Sequence, residues 1–81
     1  MTARVFVSLK PGVLDPAGKA VNHGLHSLGF DEVSSVRLGK VIELSLEERP
    51  DAAERLEAMC QKLLANTVIE SYRIEWPEKE G

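Results

Sequence analysis

Three groups of side chains in this sequence have types and spacings that could support chemistry. His23 and His26 stand three residues apart in a segment with helical spacing, so two imidazoles could reach one metal ion. No third ligand accompanies them, and both fall on the polar side of the segment, which favours solvated surface histidines. Cys60 lies within an apolar stripe with no cation predicted beside it, which favours a small buried side chain over a nucleophile. Neither a metal site nor a reactive thiol is predicted.

The third group is a basic, glycine-containing corner between the first predicted strand and helix. Lys10, Pro11 and Gly12 could cradle an anion at a helix start, but they match no phosphate-loop pattern. Pro11 cannot donate a ladder hydrogen bond, and Gly12 adopts backbone angles that other residues avoid. Asp15 can cap a helix, with Pro16 at its first position. A structural corner is the favoured interpretation.

Composition limits the classes of function. The chain has 81 residues, a net charge of −3, 43% apolar residues and a single cysteine. We expect one domain over residues 1–77 and a frayed C-terminal tail over residues 78–81. The interspersed charges argue against a nucleic-acid surface. Without a long apolar run or a signal peptide, a cytoplasmic protein with no membrane contact is expected. No nucleophile, base and orienting group can be assembled, so the residues favour a binding or assembly module.

Hydrophobic periodicity predicts six elements in the order β-α-β-β-α-β. The predicted strands cover residues 3–9, 33–38, 41–46 and 68–76, and the predicted helices cover residues 17–28 and 52–65. This order is the ferredoxin-like pattern, an α+β fold with an antiparallel four-stranded sheet and two helices on one face. The first helix aligns a stripe of apolar or small residues, namely Ala17, Ala20, Val21, Gly24, Leu25 and Leu28. The second aligns Ala52, Leu56, Met59, Cys60 and Leu63.

The predicted hairpin between the middle strands is constrained by side-chain parity. A two-residue turn at Gly39 and Lys40 would place apolar and polar side chains on the same face. Pairing Leu38 with Ile42 places the apolar side chains on one face. This pairing requires a loop with an odd number of residues and a bulge. In this arrangement Arg37 and Lys40 flank the hairpin tip as a solvated rim.

Two aromatic residues suggest self-association. Two helices can cover only one sheet face, so the face that carries Phe6 must be solvated or covered by another chain. Trp76 is either an interface anchor or a core residue of an edge strand, and the sequence does not distinguish these alternatives. We expect a homodimer or higher oligomer, with Phe6 and Trp76 as contact candidates.

The amino-acid sequence of the strand-to-helix corner resembles that of one protein family. The run from Leu9 to Pro16, followed by Gly18 to Val21, is similar to the signature of PurS, the small subunit of phosphoribosylformylglycinamidine synthase. Further similar segments lie along nearly the whole chain: Leu28 to Phe30, Val36 with Arg37, Gly39 with Lys40, Ile42 to Leu44, Met59 with Cys60, Lys62 to Asn66, Val68 to Glu70, and Tyr72.

The resemblance implies a non-catalytic subunit in de novo purine biosynthesis. It implies two partners: a glutaminase subunit that releases ammonia, and a large synthetase subunit that holds ATP and Mg and activates formylglycinamide ribonucleotide. The PurS subunit would bridge them, assist ammonia transfer and need no cofactor itself. The family brings no catalytic residues, and the candidates for partner contact or turn geometry are the matching positions Lys10, Pro11, Gly12, Asp15, Lys19, Arg37, Gly39 and Lys40. The alternative is a free-standing ferredoxin-like regulatory domain that binds a small ligand.

Overall fold

The computed structural model describes residues 1–77, and its sheet is built around the first strand. The elements follow in the order β1 (Thr2–Leu9), α1 (Pro16–Ser27), β2 (Gly39–Ser45), α2 (Ala52–Met59), a π-helical turn (Cys60–Leu64) and β3 (Glu70–Glu75). The strand order is β2-β1-β3, and β1 is antiparallel to both neighbours. The predicted frayed tail, residues 78–81, lies outside the described residues.

The alternation predicted for β1 is confirmed, and it defines the core. Ala3, Val5 and Val7 point to one face and are 0–2% exposed. Val5 is paired with Ile42 on β2 and Ile74 on β3, so three strands contribute apolar side chains to the same layer.

α2 covers this face of the sheet, as its stripe predicted. Leu56 and Cys60 are completely buried, whereas Leu63, predicted on the same stripe, is 82% exposed. The helix widens at this point, because the amide of Ala65 donates to the carbonyl of Cys60 five residues earlier, at 3.0 Å. A π turn contains more residues than an α turn, so it rotates the following side chains around the axis. Leu64 packs against the core instead of Leu63.

The prediction that two helices cover one face is wrong for this chain. α1 forms and ends as expected, with Gly29 at φ +95° and the amide of Phe30 donating to the carbonyl of Leu25. No α1 residue belongs to the core cluster, however. Val21 is 42% exposed and Leu28 is 75% exposed, so the predicted apolar stripe of α1 is not covered by the chain's own sheet.

The predicted four-stranded sheet and its hairpin are also wrong for this chain. Residues 33–38 form no strand, and β2 pairs directly with β1 from Gly39 onward. The reason is that the segment is tied elsewhere, since the amide of Leu38 donates to the Asp15 carboxylate at 2.9 Å. Leu38 is 43% exposed, whereas Ile42 packs against the core, so the proposed Leu38–Ile42 pair does not exist. The fold is α+β with two helices and a three-stranded antiparallel sheet in the described part of the chain.

The molecule is long for its chain length. Its radius of gyration is 16.2 Å, with extents of 50 × 30 × 15 Å. A compact domain of this size would have a radius of gyration of about 12 Å. The excess follows from the position of α1, which extends away from the layer formed by the sheet and α2.

Candidate interaction site at the strand-to-helix corner

Asp15 holds the start of α1 and the start of β2 together. Its Oδ1 accepts a hydrogen bond from the amide of Gly18 at 2.8 Å, and its Oδ2 accepts from the amide of Leu38 at 2.9 Å. The residue is buried, at 8% exposure. The hydrogen bond from Leu38, then that from Gly18, and the nearby charge of Arg37 lower the pKa of Asp15 below its ordinary value against the opposing effect of burial. Asp15 is therefore an ionised helix cap that also fixes a distant segment.

Arg37 makes the complementary link from the other segment. Its Nη2 donates to the carbonyls of Leu9 and Lys10 at 2.9 and 3.0 Å, and its Nη1 donates to that of Val13 at 3.4 Å. We call Asp15 and Arg37, with the backbone groups they bind, the clasp. Both residues were candidates for partner contact, and the structure gives both of them an internal bonding role.

Three further candidates shape the backbone. The amide of Val13 donates to the carbonyl of Lys10 at 3.1 Å, with Pro11 and Gly12 between them and Gly12 at φ +86°. This is the arrangement that a Pro-Gly turn of type II requires. Gly39 is opposite Ser8 in the sheet, and a Cβ on it would lie 2.7 Å from the Val7 carbonyl oxygen. Gly39 is therefore a site of close strand approach and not the tip of a hairpin.

The remaining candidates are lysines around the clasp. Lys10 follows β1 and Lys40 lies at the start of β2, so both are at one end of the sheet, and Lys19 is in the first turn of α1. None of the three forms an ion pair within 4 Å among residues 1–77. The clasp carries one negative and one positive charge, and Glu70 adds a negative charge at the same end of the sheet. The three lysines outnumber it, so this end of the molecule has an excess of positive charge.

Two shallow clefts flank the clasp. One, of about 290 Å³, is lined on its polar side by Asp15, Lys19, Asn22, Ser34, Ser35 and Arg37. The other, of about 250 Å³, lies between β1 and the start of β2 and includes Lys40 and Glu70. The sequence analysis missed Asn22, whose buried Oδ1 has no partner in the described structure. The sequence could have indicated Asn22, because a spacing of three residues places it on the same side of α1 as Lys19.

Phe6 and Trp76 lie on opposite faces of the sheet. Phe6 is on the face without helices, where the Arg73 guanidinium stands 4.3 Å from its ring centroid. Arg73 was also missed, because this cross-strand neighbour depends on a register that the sequence did not provide. Trp76 is half-buried and packs against the core on the α2 side.

Two of the side chains that could do chemistry, Cys60 and His26, are placed in structural roles. Cys60 is completely buried, and burial, with a smaller effect of Glu57, raises the pKa of its thiol. The Nε2 of His26 lies 2.6 Å from the carbonyl oxygen of Val33, beyond the end of α1. Among residues 1–77 there is no group of three or more side chains able to hold a metal ion. In the same range no helix has the length and apolar character needed to span a bilayer.

A small α+β fold with an ordered corner and a positively charged end is typical of a binding or assembly module. The family model for PurS, described as phosphoribosylformylglycinamidine (FGAM) synthase, matches residues 2–78. The chain belongs to the PurS family.

Individual relatives agree with this assignment. The chain is 55% identical over 80 residues to phosphoribosylformylglycinamidine synthase subunit PurS of Synechocystis sp., covering 96% of this chain and 80% of the relative. Its fold is similar to a crystal form of Bacillus subtilis PurS, with a TM-score of 0.84, 53% identity and coverage of 91% and 94%. It is also similar to a chain in the structure of PurLQS from Thermotoga maritima, with a TM-score of 0.73, 26% identity and coverage of 91% and 93%.

Proposed function

We propose that this chain is the small, non-catalytic subunit of phosphoribosylformylglycinamidine synthase, and that it bridges the glutaminase and ATP-dependent synthetase subunits. The observation that carries the proposal is the PurS family match over residues 2–78. The relative in the PurLQS structure supports membership of a multi-subunit enzyme. The match favours this role over a free-standing ligand-binding domain. ATP and Mg belong to the synthetase subunit in this proposal, and the complex operates in the cytoplasm.

The chemistry of ammonia explains why such a subunit is useful. Ammonia in water at neutral pH is mostly protonated, and the ammonium ion is not a nucleophile. An assembly that docks the glutaminase against the synthetase and excludes water keeps ammonia in its reactive form during transfer to formylglycinamide ribonucleotide. This task needs surfaces that fit the partners and requires no catalytic side chain on the bridging subunit.

The positive end beside the clasp is the proposed docking surface. Lys10, Lys19 and Lys40 are available there for a partner, while Asp15 and Arg37 fix the backbone on which they stand. Exposed charges at the edge of an interface mainly steer association and set its salt dependence. We infer that these lysines contact an acidic surface on one of the two partners.

Self-association is the second part of the proposal. The sequence argument for it relied on the sheet face that carries Phe6, but this face is largely polar. Arg4 pairs there with Glu43, and Arg73 pairs with Glu75. Support comes instead from the extended shape and the exposed apolar residues of α1. A chain that buries so little of its own helix is expected to gain burial from a second copy.

A pull-down with the glutaminase and synthetase subunits, in the presence of nucleotide and glutamine, tests the docking surface. Lys40→Gln and Ser45→Glu each make the net charge more negative by one, at opposite ends of β2. We expect Lys40→Gln to weaken capture and to flatten its salt dependence, because it removes an attraction that salt screens. Lys40→Glu should weaken capture further, and Ser45→Glu should be captured as well as the unmodified chain. Equal capture of the charge-matched variants Lys40→Gln and Ser45→Glu contradicts the assignment of this surface, and no capture of the unmodified chain contradicts the bridging role.

A further inference from the structure

The turn that precedes β3 is closed by its own hydrogen bonds. We call residues 66–70 the anchor turn. The Asn66 Oδ1 accepts a hydrogen bond from the amide of Val68 at 3.2 Å. The Asn66 carbonyl accepts from the amides of Ile69 and Glu70 at 3.0 and 2.7 Å, and the amide of Asn66 donates to the Glu70 carboxylate at 2.7 Å. Side chains at both ends of the turn therefore fix its backbone.

The anchor turn lies beside the clasp. The amide of Lys10 donates to the carbonyl of Ile69 at 2.8 Å, and the carbonyl of Lys10 accepts from Arg37 at 3.0 Å. Lys10 therefore connects the anchor turn to the Pro-Gly turn before α1. Both turns belong to the end of the molecule that carries the proposed docking surface.

The anchor turn presents an apolar side chain to solvent. Val68 is 80% exposed, and its neighbour Ile69 is 39% exposed. Leu14, which follows the Pro-Gly turn, is 64% exposed at the same end. The valine side chain has a single rotatable bond and stands on a backbone that is already ordered, so a partner that buries it orders very little. Such side chains are suited to fill a pocket on a partner protein.

The charges around the anchor turn indicate the chemistry of that pocket. Lys10 forms no ion pair within 4 Å among residues 1–77. Glu70, the acidic residue of the turn, already accepts the amide of Asn66. The surface complementary to an apolar tip beside a cation is an apolar pocket with carboxylates on its rim. A twofold contact between two anchor turns would instead bring like charges together, which disfavours a second copy as the occupant.

We propose that Val68 is the apolar anchor of the docking surface, and that it enters an apolar pocket with a carboxylate rim on one of the two partner subunits. Lys10 flanks the anchor and pairs with the rim. The inference rests on the docking surface proposed above, and it adds the anchor residue and the chemistry of the surface that receives it.

Truncation of the anchor gives the first test. Val68→Ala is compared with Val41→Ala, a matched control, because Val41 is 56% exposed and lies opposite Phe6 within the sheet. Binding to the glutaminase and to the synthetase is titrated separately, with nucleotide and glutamine present. We expect Val68→Ala to raise the dissociation constant for one of them about tenfold, because two methyl groups leave the pocket, and Val41→Ala to leave it unchanged.

The outcomes of this titration separate the anchor from the bridging role. Binding of the unmodified chain that Val68→Ala does not weaken, or that both variants weaken equally, overturns the anchor and leaves the bridging role standing. An unmodified chain that binds neither subunit overturns both. A melting temperature lowered by Val68→Ala would assign the side chain to the packing of its own chain, and it overturns the anchor.

Salt dependence gives the second test. Burial of methyl groups is not screened by salt, whereas attraction between charges is. We expect Val68→Ala to weaken binding by the same factor at every salt concentration, and Lys10→Gln to flatten the salt dependence. A salt dependence that Lys10→Gln leaves unchanged overturns the pairing of Lys10 with a carboxylate rim. Light scattering of free Val68→Asp should give the mass of the unmodified chain, and a lower mass would place Val68 between copies of the chain and overturn the proposal.

Discussion

Leu56→Ala tests whether α2 supplies the core in the way the structure shows. Leu56 is completely buried between α2 and β1, so truncation to alanine removes buried methyl groups and leaves a cavity. Substitutions of this kind cost about 2–5 kcal/mol of unfolding free energy. A loss of about 3 kcal/mol lowers the melting temperature of a domain of this size by about 12–24 °C. Denaturant titration followed by circular dichroism measures the free energy, and a thermal scan measures the temperature.

Leu63→Ala is the matched control, because the sequence pattern places Leu63 on the same stripe while the structure exposes 82% of it. We expect its free energy of unfolding to change by no more than about 0.5 kcal/mol, apart from any contribution that depends on protein concentration. Measurement at two protein concentrations separates out any contribution of self-association. Equal losses for the two variants would refute the rotation that the π-helical turn imposes, and a larger loss for Leu63→Ala would refute the packing of α2.

The remaining predictions concern glycines and one carboxylate. Gly39→Ala should destabilise the chain by about 1–3 kcal/mol, because its Cβ would meet the Val7 carbonyl oxygen at 2.7 Å, whereas Gly24→Ala, with nothing within 4 Å, should raise the monomer's stability by about 0.5–1 kcal/mol. Denaturant titration compares the two, and a harmless Gly39→Ala would contradict the close approach of β1 and β2. Because the pKa of Asp15 is lowered in the folded state, its stabilising effect is complete above the ordinary value of 3.8 and disappears as pH falls through the lower folded value. The difference in unfolding free energy between the unmodified chain and Asp15→Asn should therefore be constant near neutral pH and shrink in acid, and a difference that grows in acid would contradict the sign.

The sequence predicted the local structure well, since local structure depends on local rules. The alternation of β1 gives its inward face directly, and Asp15 followed by Pro16 gives the start of α1 within one residue. The left-handed glycine at Gly29 ends this helix as expected. Each of these features depends on a few neighbouring residues and a known backbone preference.

The arrangement of the elements was predicted less well, because distant hydrogen bonds decide it. Nothing within residues 33–38 signals that Leu38 binds Asp15, 23 residues away, and this bond takes the segment out of the sheet. The stripe of α1 correctly indicates an apolar side, yet the pattern cannot say on which molecule it is buried. The π-helical turn is likewise invisible to a fixed 3.6-residue period, which is why Leu63 was misplaced.

The candidate site shows the same division. The family resemblance drew attention to the corner, and the structure separates its residues into an internal clasp and surrounding lysines. Asp15 and Arg37 form hydrogen bonds with the backbone of their own chain. These bonds give both side chains a structural role that does not require a partner subunit. Which lysines contact a partner depends on surfaces of other chains, and this chain's sequence does not contain that information.

The central claim is that this chain connects two other subunits and does no chemistry itself. The most direct measurement is the rate of amidine formation by the glutaminase and synthetase subunits, with and without this chain, run separately with glutamine and with ammonium salts. We expect the chain to raise the glutamine-dependent rate much more than the ammonium-dependent rate, and to show no glutaminase or ATPase activity alone. Equal glutamine-dependent rates in its presence and absence, or turnover by the chain alone, would contradict the account.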